Sequence, residues 1–540
     1  MSVHNKKSVV LFPLILALIL ISGIFIGLKL NRSGISDRLL ILPRGDKVNN
    51  VLNLIEDSYV DSVSRDNLEE TAIEAILQKL DPHSVYIPAD EFQAVNEPLE
   101  GNFSGIGIQF NAQNDTIIVV NTVPNGPSER IGLRAGDRLV RINDTIVAGV
   151  KMPTGDIVKR LKGPKGSKVK VTIKRLGVKD SIDFRVSRDV IPLYSVDAAY
   201  MLAPQVGYIK INKFAKTTHE EFLTAAKKLH KEGMKKIIVD LRGNSGGLLE
   251  SAIRIADEFL DDHQLIVYTK GRARARTESY SKPGGECLKD SVIILIDESS
   301  ASASEILAGA IQDNDRGWIV GRRSFGKGLV QEQSMLPGGA AIRLTIARYY
   351  TPSGRCIQKP YNNGKTNYFN ELHNRILHGE MEQADSIKFN DSLRYKTVGG
   401  RIVYGGGGIM PDYFVPADTS LFSNYYYMLH EKGILYRFAF HYSDANRKIL
   451  AKFKTYQALI KFLKKENVFE KMLDYADKQG IKKNYSDIKI SSELLQTQLE
   501  AYIVRNFFDN NGFYPVYNTI DSTIKEAVII FEGKGKQHKS

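Results

Sequence analysis

Between residues 206 and 312 the sequence alternates apolar runs of strand length with helical stretches. Continuous apolar strands are typical of a sheet that is covered on both faces, and their alternation with helices predicts an α/β core. The predicted strands cover residues 206–211, 237–241, 265–269 and 292–297, and the predicted helices cover residues 219–230, 248–260 and 303–312.

Other patterns flank this core. Residues 45–97 carry apolar residues at helical spacing and predict an N-terminal helical region. Residues 98–188 contain short runs rich in Val, Ile and Thr between turn residues, which predicts a small strand-rich domain. The core itself, residues 189–416, carries a polar insertion at residues 359–398, and residues 417–540 predict a helical C-terminal extension. Within the strand-rich domain, the predicted strands cover residues 105–111, 116–120, 138–142 and 169–175.

Composition narrows the possible functions. The 540 residues suffice for three or four domains of about 150 residues. With 43% hydrophobic and 25% charged residues, collagen-like, coiled-coil and wholly disordered proteins are excluded. The net charge of +13 is spread thinly, which argues against a nucleic-acid partner. Two cysteines, Cys287 and Cys356, provide neither a disulfide framework nor zinc-ligand spacing, and we predict no metal site.

The N-terminus carries an apolar run at residues 9–28, preceded by His4, Lys6 and Lys7. A helix of about 20 residues spans a hydrocarbon core of roughly 30 Å, and no Ala-x-Ala cleavage site follows the run. We therefore predict that residues 1–30 form an uncleaved transmembrane signal anchor with a cytoplasmic N-terminus, which leaves the remaining chain outside.

The first segment that could carry catalytic residues comprises residues 297–306. It follows an apolar strand and begins a helix. A helix N-terminus presents free N–H groups and partial positive charge to a developing oxyanion, so a serine here is well placed as a nucleophile. Serine is also a common N-cap residue, and the position alone leaves both interpretations open.

Two further segments contain groups that such a serine requires. Lys327 lies between two glycines and near Phe325 and Leu329. Burial there would lower its pKa and let it accept a proton from a serine hydroxyl; a solvated surface lysine is the alternative. Residues 240–248 run from a strand through a Gly-rich turn into a helix, and such a turn offers backbone N–H groups to an oxyanion or to phosphates. The turn matches no nucleotide-binding motif.

Together these three segments resemble the carboxyl-terminal processing peptidases, which are tail-specific serine proteases of family S41 with a Ser-Lys dyad. The family's nucleophile is the middle serine of Ser-Ala-Ser-Ala-Ser-Glu, which falls on Ser302, and its general base is the lysine of Gly-Lys-Gly, which falls on Lys327. A glutamine one helical turn later assists the lysine and matches Gln331. The resemblance also implies an oxyanion hole, built from the N–H of Ala303 and that of either Gly246 or Gly247.

Other motifs of this family follow in the expected order. They are Leu-Asp-Pro-His-Ser at residues 80–84, Arg-Tyr-Tyr-Thr-Pro-Ser-Gly-Arg at 348–355 and Gly-Gly-Gly-Ile-Met-Pro-Asp at 406–412. The resemblance spans roughly residues 45–415. It implies a crotonase/ClpP-like α/β protease core with an inserted PDZ-like domain, an N-terminal helical segment and a helical C-terminal extension.

The strand-rich segment resembles the PDZ domain that these proteases carry. A PDZ loop binds a free α-carboxylate on consecutive backbone N–H groups, while the peptide adds a strand to the sheet edge. The residues that match this substrate-binding loop are Phe103, Ser104, Gly105, Ile106, Gly107 and Ile108.

The sequence therefore predicts a serine endopeptidase without metal or organic cofactor, which binds exported proteins by their C-termini and cuts near the tail. The family suggests a bacterial inner-membrane location with the catalytic part in the periplasm or outside the cell, and a homo-oligomer is possible. A catalytically idle PDZ scaffold of the cell envelope is the alternative. Intact Ser302 and Lys327 argue against that alternative.

Overall fold

The computed structural model describes residues 16–26, 46–113, 115–387 and 390–535, which fall into two compact units divided between Ala75 and Ile76. Arg65 connects two helices within the first unit, because its guanidinium donates to Asn53 at 2.7 Å and to Glu56 at 2.9 Å. The elements up to residue 100 are α1 (16–26), α2 (Lys47–Ser58), α3 (Arg65–Leu77), β1 (Val85–Ile87) and α4 (Ala89–Glu100).

The structure contradicts the predicted membrane anchor. Within the apolar run at residues 9–28, only residues 16–26 are described, as helix α1; residues 1–15 and 27–30 lie outside the described residues. No helix in the described part of the chain combines the length and apolar character needed to cross a membrane. The predicted single-pass inner-membrane location is therefore wrong.

A strand-rich domain follows α4. Apolar and polar residues alternate along the strands of its main sheet. In the strand at Lys168–Lys174, Val169, Val171 and Ile173 are buried, and the residues between them face outward. The predicted strand at residues 105–111 is broken at Ile106 and Gly107 into two separate strands. The elements are β2 (Asn102–Gly105), β3 (Ile108–Gln113), β4 (Thr116–Thr122), α5 (Pro127–Arg130), β5 (Arg138–Ile142), β6 (Thr145–Ile146), α6 (Thr154–Leu161), β7 (Lys168–Lys174), β8 (Ile182–Ser187) and β9 (Asp189–Pro192).

The α/β core contains the next elements. They are β10 (Val196–Ala203), β11 (Val206–Ile211), α7 (Thr218–Lys231), β12 (Lys236–Asp240), α8 (Leu249–Asp257), β13 (Leu265–Lys270), β14 (Thr277–Tyr280), β15 (Ser291–Ile296), α9 (Ala303–Asp313), β16 (Gly317–Gly321), β17 (Leu329–Met335), β18 (Ala341–Tyr350), α10 (Lys365–Leu377), β19 (Arg394–Lys396), β20 (Ile402–Tyr404) and β21 (Tyr413–Phe414).

Two sheets build this core. The main sheet has the order β10-β11-β12-β15-β16-β21, and all its neighbouring strands are parallel except β10 and β11. The second sheet has the order β1-β18-β13-β14, with β17 also paired to β18. The predicted strand at residues 265–269 therefore exists as β13, but in the antiparallel second sheet.

Helices cover both faces of the main sheet. One face packs against α7, α8 and α9. The other face packs against the last described helix, through Ile524, Ala527 and Ile530. The C-terminal region thus completes the core, in addition to forming a hydrophobic cluster of its own. Its helices are α11 (Asn424–Glu431), α12 (Ile434–Ala445), α13 (Arg447–Leu450), α14 (Tyr456–Lys465), α15 (Val468–Lys478), α16 (Tyr485–Tyr517) and α17 (Ser522–Phe531). The predicted fold class is confirmed.

Candidate active site

The three segments predicted to carry the serine, the lysine and the Gly-rich turn meet because they follow three adjacent parallel strands. Asp240 at the end of β12 pairs with Leu295 of β15, and Ile296 at the end of β15 pairs with Gly321 at the end of β16. In open α/β sheets, the carboxyl ends of the strands form the usual functional edge. The segments that leave this edge are residues 241–248, 297–302 and 322–328.

Ser302 lies at the N-cap of α9 and has an unusual backbone. Its φ of 55° and ψ of −112° lie outside the regions that L-residues prefer. Such strained conformations cluster at functional sites, where the surrounding structure holds them in place. The side chain stands at the positive end of a buried helix.

Gly246 packs directly against the Ser302 turn. A Cβ atom on Gly246 would lie 2.7 Å from the oxygen of Ala301, 2.8 Å from Cβ of Ser302 and 3.0 Å from the nitrogen of Ala303. The φ of Gly246 is also positive, at 101°. The turn can therefore approach the serine only because residue 246 has no side chain.

The hydrogen bonds of this turn distinguish the two glycines that the sequence left as alternatives. The N–H of Gly246 donates to Oδ1 of Asn244 at 2.8 Å. Among the described residues, neither Gly247 nor Ala303 donates its N–H to a protein acceptor. Gly247 and Ala303 therefore provide the free donors, while Gly246 provides the close approach.

Lys327 is half-buried, and its ammonium donates to Oε1 of Gln331 at 3.0 Å. Burial, and secondarily the charge of Arg343, lowers the pKa of Lys327. In the part of the chain that the structure describes, no hydrogen bond joins the side chains of Lys327 and Ser302. Gln331 lies on strand β17, so its expected position one helical turn after Lys327 is corrected.

Glu305 connects the serine and lysine segments. Its carboxylate is fully buried and accepts hydrogen bonds from the N–H of Ser302 at 2.8 Å, Gly326 at 2.7 Å and Lys327 at 2.9 Å. The hydroxyl of Ser324 adds a fourth hydrogen bond at 2.5 Å. Burial raises the pKa of Glu305, and these four hydrogen bonds oppose that rise. One carboxylate thus fixes both segments to the first turn of α9.

Tyr349 makes a second connection. Its buried hydroxyl lies 2.7 Å from the backbone oxygen of Lys327 and 3.1 Å from that of Ser302. The sequence analysis assigned roles to neither Glu305 nor Tyr349. The Ser-x-x-Glu spacing of a capping box was a signal for Glu305, whereas Tyr349 joins the site through the pairing of β17 with β18, which no local motif indicates.

The predicted tail-binding loop borders a small apolar groove in the strand-rich domain. A cavity of about 80 Å³ is lined by five of the six predicted residues; Ser104 is the exception. Within the described residues, the N–H groups of Ile106 and Gly107 have no protein acceptor. Lys162 also lines the cavity and forms an ion pair with Glu97. The other lining residues are Phe110, Val158 and Leu161.

The described residues contain one group of potential metal ligands, His230, Cys287 and Asp290. His230 bonds to Asp290 at 2.7 Å and to Glu286 at 2.9 Å, and these two carboxylates raise its pKa against the effect of burial. Both ring nitrogens are therefore already engaged in an ion-paired cluster away from Ser302.

Comparison with protein families divides the chain into four regions. The model described as peptidase family S41 matches residues 205–364, and the PDZ domain model matches residues 94–174. Residues 32–91 match the N-terminal domain of the activating protease CtpB. Residues 425–509 match a family of unknown function, DUF8443.

Curated relatives share the same regions. A carboxy-terminal-processing protease of Bartonella bacilliformis is 36% identical over 313 residues, which are 57% of this chain and 71% of that protein. A probable CtpA-like serine protease of Staphylococcus aureus is 33% identical over 339 residues, which are 62% of this chain and 66% of that protein. Among solved structures, the photosystem II D1 C-terminal processing protease is 26% identical, with a TM-score of 0.33, over 57% of this chain and 89% of that one.

Substitution of Gly246 should block the space beside Ser302. We expect Gly246→Ala to reduce labelling of Ser302 by a serine-directed fluorophosphonate probe at least 100-fold, because the new Cβ would contact the turn and Ala303. Gly243→Ala is the matched control, since Gly243 has a φ of 70° but open space around its Cβ position. Equal loss in both variants would show that backbone strain, rather than crowding at the serine, causes the effect.

Glu305→Gln should separate the serine and lysine segments. An amide places an NH₂ group against backbone donors that now face carboxylate oxygens, so we expect a loss of about 2–4 kcal/mol in the free energy of unfolding. Chemical denaturation measures this change. Glu232→Gln, at the exposed end of α7, should change stability by less than about 0.5 kcal/mol. A Glu305→Gln protein as stable as this control would contradict the assigned role.

Proposed function

This chain belongs to the carboxy-terminal-processing serine proteases of peptidase family S41, and we propose that Ser302 and Lys327 are its catalytic dyad. The observation that carries the proposal is the shared carboxylate of Glu305, which binds the N–H groups of both residues. Because one buried group holds both backbones, the serine and the lysine belong to one site.

In the proposed reaction, the hydroxyl of Ser302 attacks the scissile carbonyl while neutral Lys327 accepts its proton. As the tetrahedral intermediate collapses, the scissile C–N bond breaks and the proton passes to the leaving amine. Water then attacks the acyl-enzyme, with Lys327 again as base, and releases the carboxylic acid product and Ser302. The N–H groups of Ala303 and Gly247 stabilise the tetrahedral oxyanion, and Gly246 provides the space that this arrangement needs. Gln331 accepts a hydrogen bond from protonated Lys327 and so orients it between proton transfers.

We further propose that the PDZ domain selects substrates by their C-terminal tails. The free N–H groups of Ile106 and Gly107 fit a terminal carboxylate, and the apolar lining of the cavity fits an apolar last side chain. Lys162 also lines the cavity, where it is paired with Glu97. The prediction of exported substrates depended on the membrane anchor, so we do not extend the proposal to it. An idle scaffold is disfavoured by the family membership.

Cleavage of an unstructured protein with an apolar C-terminal tail tests these assignments. We expect Ser302→Ala and Lys327→Ala to reduce kcat at least 1,000-fold, because nucleophile and base act as a unit. Lys289→Ala, at an exposed lysine, should retain wild-type kcat.

Amidation of the substrate C-terminus should raise KM with little change in kcat. Cleavage by Ser302→Ala would mean a different nucleophile, and tail binding without cleavage by the wild type would favour the scaffold.

The pH dependence of kcat/KM provides an independent test of Lys327. Only the neutral amine accepts a proton, so activity should fall as the pH drops below the pKa of Lys327. Because burial lowers that pKa, the midpoint of the rising limb should lie below about 10.4, the value of a free lysine. Initial rates between pH 5 and 10 measure the limb. A profile that is flat over this range would contradict a lysine base.

A further inference from the structure

The insertion at residues 359–398 returns to the loop that carries Lys327. The match to peptidase family S41 ends at residue 364, and helix α10 begins at Lys365. From this helix, the buried guanidinium of Arg375 donates to the backbone oxygens of Ser324 at 3.0 Å and of Arg323 at 2.7 Å. The insertion is therefore bonded to the catalytic loop, although its sequence is polar and carries no catalytic motif.

A second contact from α10 leads to the lysine itself. The hydroxyl of Tyr368, whose residue is only 2% exposed, forms a 2.8 Å hydrogen bond with Nε2 of His83. The backbone oxygen of His83 accepts a hydrogen bond from Nε2 of Gln331, and Oε1 of Gln331 accepts from Lys327. The insertion is thus linked to the proposed base by hydrogen bonds on either side of His83, through its ring to Tyr368 and through its backbone oxygen to Gln331.

The orientation of the Gln331 amide is the sensitive step in this chain. An amide has one accepting and one donating end, and only its oxygen can face a lysine ammonium. The bond to the carbonyl of His83 holds the NH₂ end and so directs the oxygen to Lys327. His83 itself is held by its ring bond to Tyr368 and by its N–H, which donates to Asp81 at 2.8 Å.

We propose that Tyr368 is a positioning residue, which fixes the Gln331 amide through His83 and thereby holds Lys327 in the orientation that its role as base requires. This inference rests on the proposed function of Lys327. It assigns the insertion a part in catalysis through the hydrogen bonds of His83 and Gln331.

The charges around Lys327 and His83 are consistent with this arrangement. Lys327 is faced by Arg343 of β18, Glu305 of α9 and Asp81 before β1. Burial and the charge of Lys327 lower the pKa of His83 to about 4, so its imidazole is neutral near pH 7. Burial raises the pKa of Tyr368, so the hydrogen bond between Tyr368 and His83 joins two neutral groups near pH 7.

Tyr368→Phe in the full chain tests the proposal, because it removes the hydroxyl and keeps the ring. We expect kcat to fall about 10- to 100-fold with KM changed less than twofold, since misplacement of a catalytic group by about 1 Å has that effect. The rising limb of the pH profile should move to lower pH, because Gln331 no longer stabilises the ammonium. Tyr361→Phe, which removes a hydroxyl bonded to Arg348, is the matched control and should leave both unchanged.

A double-variant comparison separates positioning from general damage. If Tyr368 acts through Gln331, Tyr368→Phe should cause no further loss of kcat in a Gln331→Ala protein. An equal loss in both backgrounds, or a pH limb that does not move, would overturn the proposal. If Tyr368→Phe does not fold, His83→Phe removes the same hydrogen bond from the other side and should produce the same shift. Ser302→Ala, measured in parallel, distinguishes failure of this proposal from failure of the proposed function. If the Ser302→Ala protein is fully active, the proposed Ser-Lys dyad is refuted as well.

Discussion

A single buried carboxylate, that of Glu305, is the constraint on which the site depends. An ionised carboxylate only accepts hydrogen bonds, and this one meets four donors from two segments of the chain. Burial of the charge is costly, and charge-assisted hydrogen bonds and the N-terminus of α9 offset part of that cost. Because Glu305 is itself in the first turn of α9, the helix determines where both the serine turn and the lysine loop lie.

The loop that carries Lys327 is held from two sides. On the inner side, Glu305 binds the N–H groups of Gly326 and Lys327. On the outer side, Arg375 of the insertion binds two carbonyl oxygens of the same loop. Carbonyl groups and N–H groups of one loop therefore have separate partners, which satisfies the backbone of a segment without regular secondary structure. Such a loop can hold a half-buried lysine in place without being part of a helix or strand.

The sequence predicted those parts of the site that local motifs and the family resemblance indicate. Apolar strands were recognisable, and the motifs together with the family resemblance named Ser302, Lys327 and the Gly246 turn. The structure brings these segments together at the carboxyl ends of adjacent parallel strands, the usual ligand edge of such a sheet. The hydrophobicity of a strand does not identify its neighbours, so the sequence predicted β13 as a strand without indicating that it pairs within the second sheet. The same limit applies to α17 and Tyr368, since their contacts join segments far apart in sequence. The predicted anchor is contradicted because no helix in the described part of the chain is long and apolar enough to cross a membrane, and an apolar run in a sequence does not by itself establish such a helix.

The residues with unusual backbone conformations or close backbone contacts lie where the serine turn and the Gly-rich turn meet. Ser302 has a positive φ that a serine rarely adopts, and Gly246 occupies a position where any side chain would meet the serine turn. Natural proteins depart from locally favourable structure mainly at functional sites, where the surrounding fold supports the departure. Here the support is identifiable: Glu305 binds the N–H of the strained serine, and Asn244 binds the N–H of Gly246. The backbone strain and the hydrogen bonds that sustain it therefore locate the same site that the motifs indicate.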